Sequence, residues 1–239
     1  MLPFLGTLLG ALCVFFIGKQ INSHIDRAIC GFSAGVMVAA AIWSLLIPSM
    51  EIAKGKGASP AIPAASGFLF GIVFFLLFDK IIMQRMNSKK GLLPIIVVIV
   101  HNLPEGMAVG AIYAEVICGG STSGLSAAMA LSIGIAVQNL PEGAIVSMPM
   151  HTYGASKSKA FLIGALSGIV EPIGAVLTIF AAGFAVPVLP YLLGFAAGAM
   201  MYAVLEEFTS QNCSTASAVW VMAFACGFTL MMSLDVLLG

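Results

Sequence analysis

Apolar runs of about twenty residues follow one another along almost the whole chain, and each is as long as one helix needs to cross a bilayer. Of the 239 residues 60% are hydrophobic and only 8% charged, with a mean hydropathy of +1.09. A soluble domain carries roughly 25% charged residues. The composition therefore predicts an all-α integral membrane fold. Runs bounded by charges and by Gly, Pro, Ser and Asn clusters place eight spanning helices near 2–18, 29–48, 62–83, 92–114, 124–148, 159–184, 187–207 and 216–238. With only short connections between them, residues 1–239 form a single transmembrane domain.

Ten Lys and Arg balance ten Asp and Glu, so no charge bias points to nucleic acid as a partner. The cysteines Cys13, Cys30, Cys118, Cys213 and Cys226 are scattered and lack a C-x-x-C pair, which reads as small apolar packing residues. No basic residue precedes the first run, and Lys19 follows it; it is read as a span, not a cleaved signal. Lys19, Arg27, Lys80, Arg85, Lys89, Lys90, Lys157 and Lys159 all fall in the loops after spans one, three and five. The opposite side holds Lys54 and Lys56. Cytoplasmic loops concentrate Lys and Arg, so both termini are expected outside the cytoplasm, with the chain in the plasma (inner) membrane.

Weak internal symmetry is visible. Gly31-Phe32-Ser33-Ala34-Gly35-Val36-Met37 in span two resembles Gly194-Phe195-Ala196-Ala197-Gly198-Ala199-Met200 in span seven. Gly71 and Asp79 in span three share their spacing with Gly227 and Asp235 in span eight. Spans one to three thus recur as six to eight around a central pair, a 3+2+3 inverted repeat of the kind transporters use. Small residues are also common wherever membrane helices pack, and the span-two match alone could arise that way.

The central pair carries the stronger signal. Span four reads Val100-His101-Asn102-Leu103-Pro104-Glu105-Gly106 and span five reads Val137-Gln138-Asn139-Leu140-Pro141-Glu142-Gly143, while span six adds Glu171-Pro172. Intramembrane carboxylates cost a few kcal/mol or more and usually mark an ion or substrate path. No Lys or Arg lies in the interior of the spans to neutralise these three, so protons or bound cations must. Each proline removes one helical bond and frees a carbonyl four residues back, at Val100, Val137 and Gly168, so the central helices are expected to be broken there.

His101 and Asn102 stand four and three residues before Glu105, as Gln138 and Asn139 stand before Glu142; residues so spaced share a helix face. If the two helices face each other, Glu105 and Glu142 reach two adjacent metal positions. His101 and Gln138 would flank one, Asn102 and Asn139 the other, with Glu171 close by. One imidazole with amides and carboxylates suits Zn²⁺ first, with Fe²⁺, Mn²⁺ and Cd²⁺ as further ions. The plainer readings stay open: a single intramembrane His can be a packing residue, amides can bridge helices, and the glutamates can be protonated. His24 and His151 near loops read as solvated surface residues, and the 14 methionines as core filler. Glu206 and Glu207 close span seven, Ser44 in span two is the counterpart of Glu207, and Glu51 lies further along that span. These four could line an entrance or exit, or be ordinary interfacial residues.

The H-N-L-P-E-G of span four, followed by N-L-P-E-G in span five, resembles the ZIP family of divalent metal transporters over essentially the whole chain. Gln138, where many members have histidine, is similar to the GufA-like subfamily. The resemblance implies a transport domain moving zinc and related divalent ions toward the cytoplasm, with no prosthetic group. It implies a binuclear centre: His101, Glu105, Gln138 and Glu142 for one ion, and Asn102, Glu105, Asn139, Glu142 and Glu171 for the other. Relatives can carry aspartate where this chain has Asn139. The expected partners are divalent metal ions and the lipid bilayer, with a second copy of the chain as the homodimer to test. An intramembrane metalloprotease is the alternative, but the H-E-x-x-H it needs is absent. An organic-solute carrier would leave the three carboxylates unexplained.

Overall fold

The computed structural model of the chain describes residues 1–16, 23–55, 57, 59–85, 93–118, 122–152, 154–209 and 217–238. Lys19, Lys56, Lys89, Lys90 and Cys213 lie outside these residues, as do the side chains of Arg85, His101 and Glu207. Among the described residues every element is helical. In order they are α1 (Leu2–Leu12, continued by a 3₁₀ turn Cys13–Phe16), α2 (Ser23–Ala40), a π-helical turn (Ala41–Leu46), α3 (Ile47–Gly55) and α4 (Ala61–Arg85). Then follow α5 (Leu93–Ile117), α6 (Thr122–Thr152), α7 (Lys157–Ser167), α8 (Val170–Phe180), α9 (Ala182–Thr209) and α10 (Ala218–Leu238).

Among the described residues six stretches are long and apolar enough to cross a membrane: Arg27–Gly55, Ala61–Ile81, Gly124–Thr152, Lys157–Phe180, Pro187–Glu206 and Ala218–Leu237. The chain is an integral membrane protein. Two of the eight expected spans are not among the six. The first is the shorter apolar helix Leu2–Phe16. The fourth is α5, of 25 residues, several of whose side chains lie outside the described residues. The outer faces of α4 and α10 present Leu69, Phe70, Val73, Leu77, Met222 and Val236 to the surroundings. Water would not tolerate so continuous an apolar face.

Glycine sets how closely the helices approach. The most extensive pairings are α1 with α6, α5 with α8, α2 with α10, and α4 with α9. In each, a Cβ added at a glycine would collide with a facing backbone carbonyl: Gly10 with Leu140, Gly106 with Glu171, Gly35 with Phe224 and Gly71 with Phe195. Close backbone contact of this kind replaces the hydrophobic drive that lipid cannot supply.

The prolines act differently from expectation. Helix α5 runs on through Pro104 and α6 through Pro141 without a break. One missing bond is tolerated because the bonds on either side persist. The interruption comes in span six instead, where Gly168 and Ile169 separate α7 from α8. There the Gly168 carbonyl, which Pro172 cannot serve, accepts the Glu171 N–H at 3.1 Å and is not free. A second irregularity was not foreseen in span two. Pro48 cannot donate to Ser44, and the turn ahead of it widens so that Ile47 N–H reaches the Ile42 carbonyl five residues back. The sixth and seventh spans meet at Ala181, ahead of Pro187 and Pro190.

Past the end of α6 stands Gly154, whose φ of 104° is one that side chains rarely adopt. Its N–H bonds the His151 carbonyl and that of Ala155 bonds Met150, each at 3.0 Å, the closing pair of a Schellman turn. His151 is therefore not a solvated residue. The turn folds over its ring, which is buried with Nδ1 2.9 Å from the Ala155 carbonyl oxygen. His24 is exposed, as expected.

Candidate metal centre

Helices α5 and α6 pack against each other with α8 and α1 on their outer sides, which gathers the polar residues of three spans. Asn102, Glu105, Gln138, Asn139, Glu142 and Glu171 are all buried, none more than 7% exposed. Glu142 and Glu171 lie close enough for their charges to act on Glu105, and the amides of Gln138 and Asn139 stand beside its carboxylate. These amides are neighbours in range, not formed bonds: both Glu105 oxygens lack a hydrogen-bond partner. The structure thus brings six of the seven expected residues together. The seventh, His101, lies one turn before Glu105 on α5.

Unsatisfied acceptors define the chemistry. Asn102 donates through Nδ2 to Glu171 Oε1 at 3.3 Å and to the Ser167 carbonyl at 3.5 Å. Its Oδ1 is left buried without a partner. Gln138 Nε2 rests 3.8 Å from the Met200 sulfur, a weak contact, and Gln138 Oε1 is unpartnered. Asn139 Oδ1 and Glu171 Oε2 are likewise buried and unpartnered. Native structures leave few such groups, because each costs about 1–3 kcal/mol, more when charged. A cluster of bare oxygens suits a cation and nothing apolar. Among the described residues no three carboxylate, imidazole or thiolate groups close on a single point.

Glu171 occupies the first turn of α8, where the helix's unpaired N–H groups favour negative charge. Its Oε1 also accepts the Thr7 hydroxyl at 2.8 Å. Thr7, wholly buried on α1, is a member of the site that sequence reasoning missed. One signal could have found it: Thr7 and Glu171 are 164 residues apart, close to the offset of 163 that relates Gly31 to Gly194 in the repeat.

Of the four residues expected along a pathway, three have described side chains. Ser44, in the π-helical turn, donates to Asp235 Oδ1 at 2.6 Å. Glu51 is exposed on α3, and Glu206 lies within electrostatic range of Asp79. The side chain of Glu207 is outside the described residues.

The family model described as ZIP Zinc transporter matches residues 89–235, which include every residue of the central cluster except Thr7. The chain belongs to the ZIP family. It is 32% identical to Zinc transporter ZIP11 of Xenopus tropicalis over 98% of this chain and 96% of that protein. It is 31% identical to Zinc transporter GufA of Myxococcus xanthus, over 97% of this chain and 94% of the relative. With Zinc transporter ZIPB of Bordetella bronchiseptica it shares 33% identity, over 99% and 79% of the two chains. Membership of the ZIP family makes the chain a divalent metal transporter and not an enzyme. Nothing supports the metalloprotease alternative.

Proposed function

We propose that this ZIP protein carries zinc, with Fe²⁺, Mn²⁺ and Cd²⁺ as further cargo, toward the cytoplasm through two adjacent metal positions at mid-membrane. The observation that carries the proposal is the set of buried, unpartnered oxygens on Asn102, Glu105, Gln138, Asn139 and Glu171. Glu105 and Glu142 bridge the two positions. His101 and Gln138 complete one. Asn102, Asn139 and Glu171 complete the other, Asn102 through the oxygen that its own donated bonds leave free. The zinc transporters ZIP11 and GufA among the relatives favour zinc as the main cargo.

Eight spans in a 3+2+3 inverted arrangement are supported by how the helices pair. Exchanging span one for six, two for seven, three for eight and four for five turns the α1–α6 pairing into α8–α5. It likewise turns α2–α10 into α9–α4. The glycine contacts follow the same exchange. Gly71 faces the Phe195 carbonyl as Gly227 faces that of Phe32, and Gly10 faces Leu140 as Gly174 faces Leu103. Arg27, Lys80 and Lys157 at matching helix ends favour cytoplasmic loops on that side, which leaves both termini outside, in the plasma (inner) membrane. Alternating access then comes from α1, α5, α6, α7 and α8 moving as one group against α2, α4, α9 and α10.

Purified protein in liposomes holding a zinc-sensitive dye tests this. Zinc should enter with the wild type, while Glu105→Ala and Glu142→Ala should fall to the leak of protein-free liposomes. Normal uptake by both variants would remove the assignment of the metal positions.

A further inference from the structure

The bond from Thr7 to Glu171 is not part of the family motif, and the packing around it is unusually constrained. Thr7 has no exposed surface. A Cβ on Gly168 would lie 2.8 Å from three Thr7 side-chain atoms, so the break between α7 and α8 has room for Thr7 only because residue 168 is glycine. On the other side Gly143, the residue after Glu142, rests against the Thr7 carbonyl, and no side chain fits there. Thr7 is thus wedged between the two helix segments that carry Glu142 and Glu171.

Its place in the repeat is specific. Gly10 faces the Leu140 carbonyl and Gly174 faces that of Leu103, the same position of the two N-L-P-E-G motifs. Thr7 stands three residues before Gly10 as Glu171 stands three before Gly174. By the repeat, Thr7 holds on α1 the position that Glu171 holds on α8. One half of the centre offers a carboxylate there and the other a hydroxyl, and the hydroxyl bonds across to the carboxylate.

The consequence falls on the two oxygens of Glu171. Oε1 accepts from Thr7 at 2.8 Å and from Asn102 at 3.3 Å, whereas Oε2 is buried and unpartnered. Two donors from different helices fix the plane of the carboxylate. Resting on the two-position reading of the metal centre, we propose that Thr7 is a positioning residue for the cargo. Its hydroxyl anchors Oε1 so that Glu171 presents Oε2 alone to the position flanked by Asn102 and Asn139.

Zinc titration calorimetry on the purified full chain tests the role, with Thr7→Val, Thr7→Ser and Glu171→Gln beside the wild type. Valine keeps the shape and removes the hydroxyl; serine keeps the hydroxyl. The wild type should bind two zinc ions, and Glu171→Gln should weaken one of them. Thr7→Val should weaken that same ion about 10- to 100-fold, the usual effect of losing an outer partner of a ligand, and leave the other unchanged. Thr7→Ser should stay close to the wild type. Infrared difference spectra add a readout that packing alone would not move. The zinc-induced carboxylate band that Glu171→Gln abolishes should shift in Thr7→Val and persist in Thr7→Ser. Wild-type affinities in Thr7→Val would overturn the proposal, as would a Thr7→Ser protein as weak as Thr7→Val. If the wild type and Glu171→Gln bind zinc alike, the two-position reading fails and the role of Thr7 falls with it. Should Thr7→Val not yield monodisperse protein, Thr7→Ala carries the same comparison.

Discussion

Glu105→Gln isolates what the proposed shared carboxylate contributes to holding cargo. Glutamine has nearly the volume of glutamate, and neither oxygen of Glu105 bonds a protein group, so the substitution breaks no internal hydrogen bond. Melting without metal should therefore stay at or above the wild-type temperature. With zinc the two proteins should separate. At a zinc concentration about 100 times the dissociation constant, binding stabilises the wild type by about 2.7 kcal/mol. Each kcal/mol moves the midpoint of a chain this size by about 2–4 °C, so zinc should raise it by about 5–11 °C. Removing one member of a buried charge pair costs about 2–5 kcal/mol, and about 2.7 of it weakens binding about 100-fold. At the same zinc concentration the variant then gains only about 0.4 kcal/mol, or about 1–2 °C. Tryptophan-fluorescence melting in detergent reads this directly, with Glu115→Gln on the same helix as the control that keeps the full rise. An undiminished zinc shift in Glu105→Gln would refute the bridging role.

Gly143→Ala drives a methyl group into the Thr7 carbonyl and should destabilise by about 1–3 kcal/mol. Gly55→Ala, where an added Cβ meets nothing within 4 Å, should leave the melting temperature unchanged. Ser44→Ala removes the 2.6 Å bond to Asp235 and should cost about 1.5–3 kcal/mol. In a double-mutant cycle with Asp235→Asn the combined cost should be smaller than the sum. Gln138→His puts a second imidazole in the cluster and should tighten zinc roughly tenfold, about 1.4 kcal/mol, measured by competition with a chromophoric chelator.

Much of the site was legible because its cost in a membrane is so visible. Glu105, Glu142 and Glu171 stand out against an apolar background, and spacing alone puts Asn102 and Asn139 beside them. What was not legible depends on partners that local sequence does not name. Thr7 is one small polar residue in an apolar run, and only the placement of α1 against α8 gives its hydroxyl an acceptor. The effect of Pro104 and Pro141 was overestimated, because a helix held by its neighbours survives the loss of one bond. The π-helical turn before Pro48 was missed for the opposite reason, since there the chain accommodates proline by widening. His151 lies near a loop in the sequence, yet Gly154 turns the backbone over it. The two central glutamates share the N-L-P-E-G motif, and beyond His101 against Gln138 what distinguishes their surroundings comes from α1 and α8.

The amide at Asn139 has an electrical consequence. With Glu105, Glu142 and Glu171 ionised, the centre has a formal charge of −3, because Asn102, Gln138 and Asn139 contribute none. One divalent ion brings it to −1, and a second brings it to +1. An aspartate at position 139 would instead make the doubly loaded centre neutral. A membrane potential acts on a moving charge by about 2.3 kcal/mol per unit charge per 100 mV. An inside-negative potential therefore opposes inward movement of the singly loaded centre and favours that of the doubly loaded one. On the proposed two-position reading, filling the second position reverses the sign of the force on the carrier, and Asn139 makes that reversal possible.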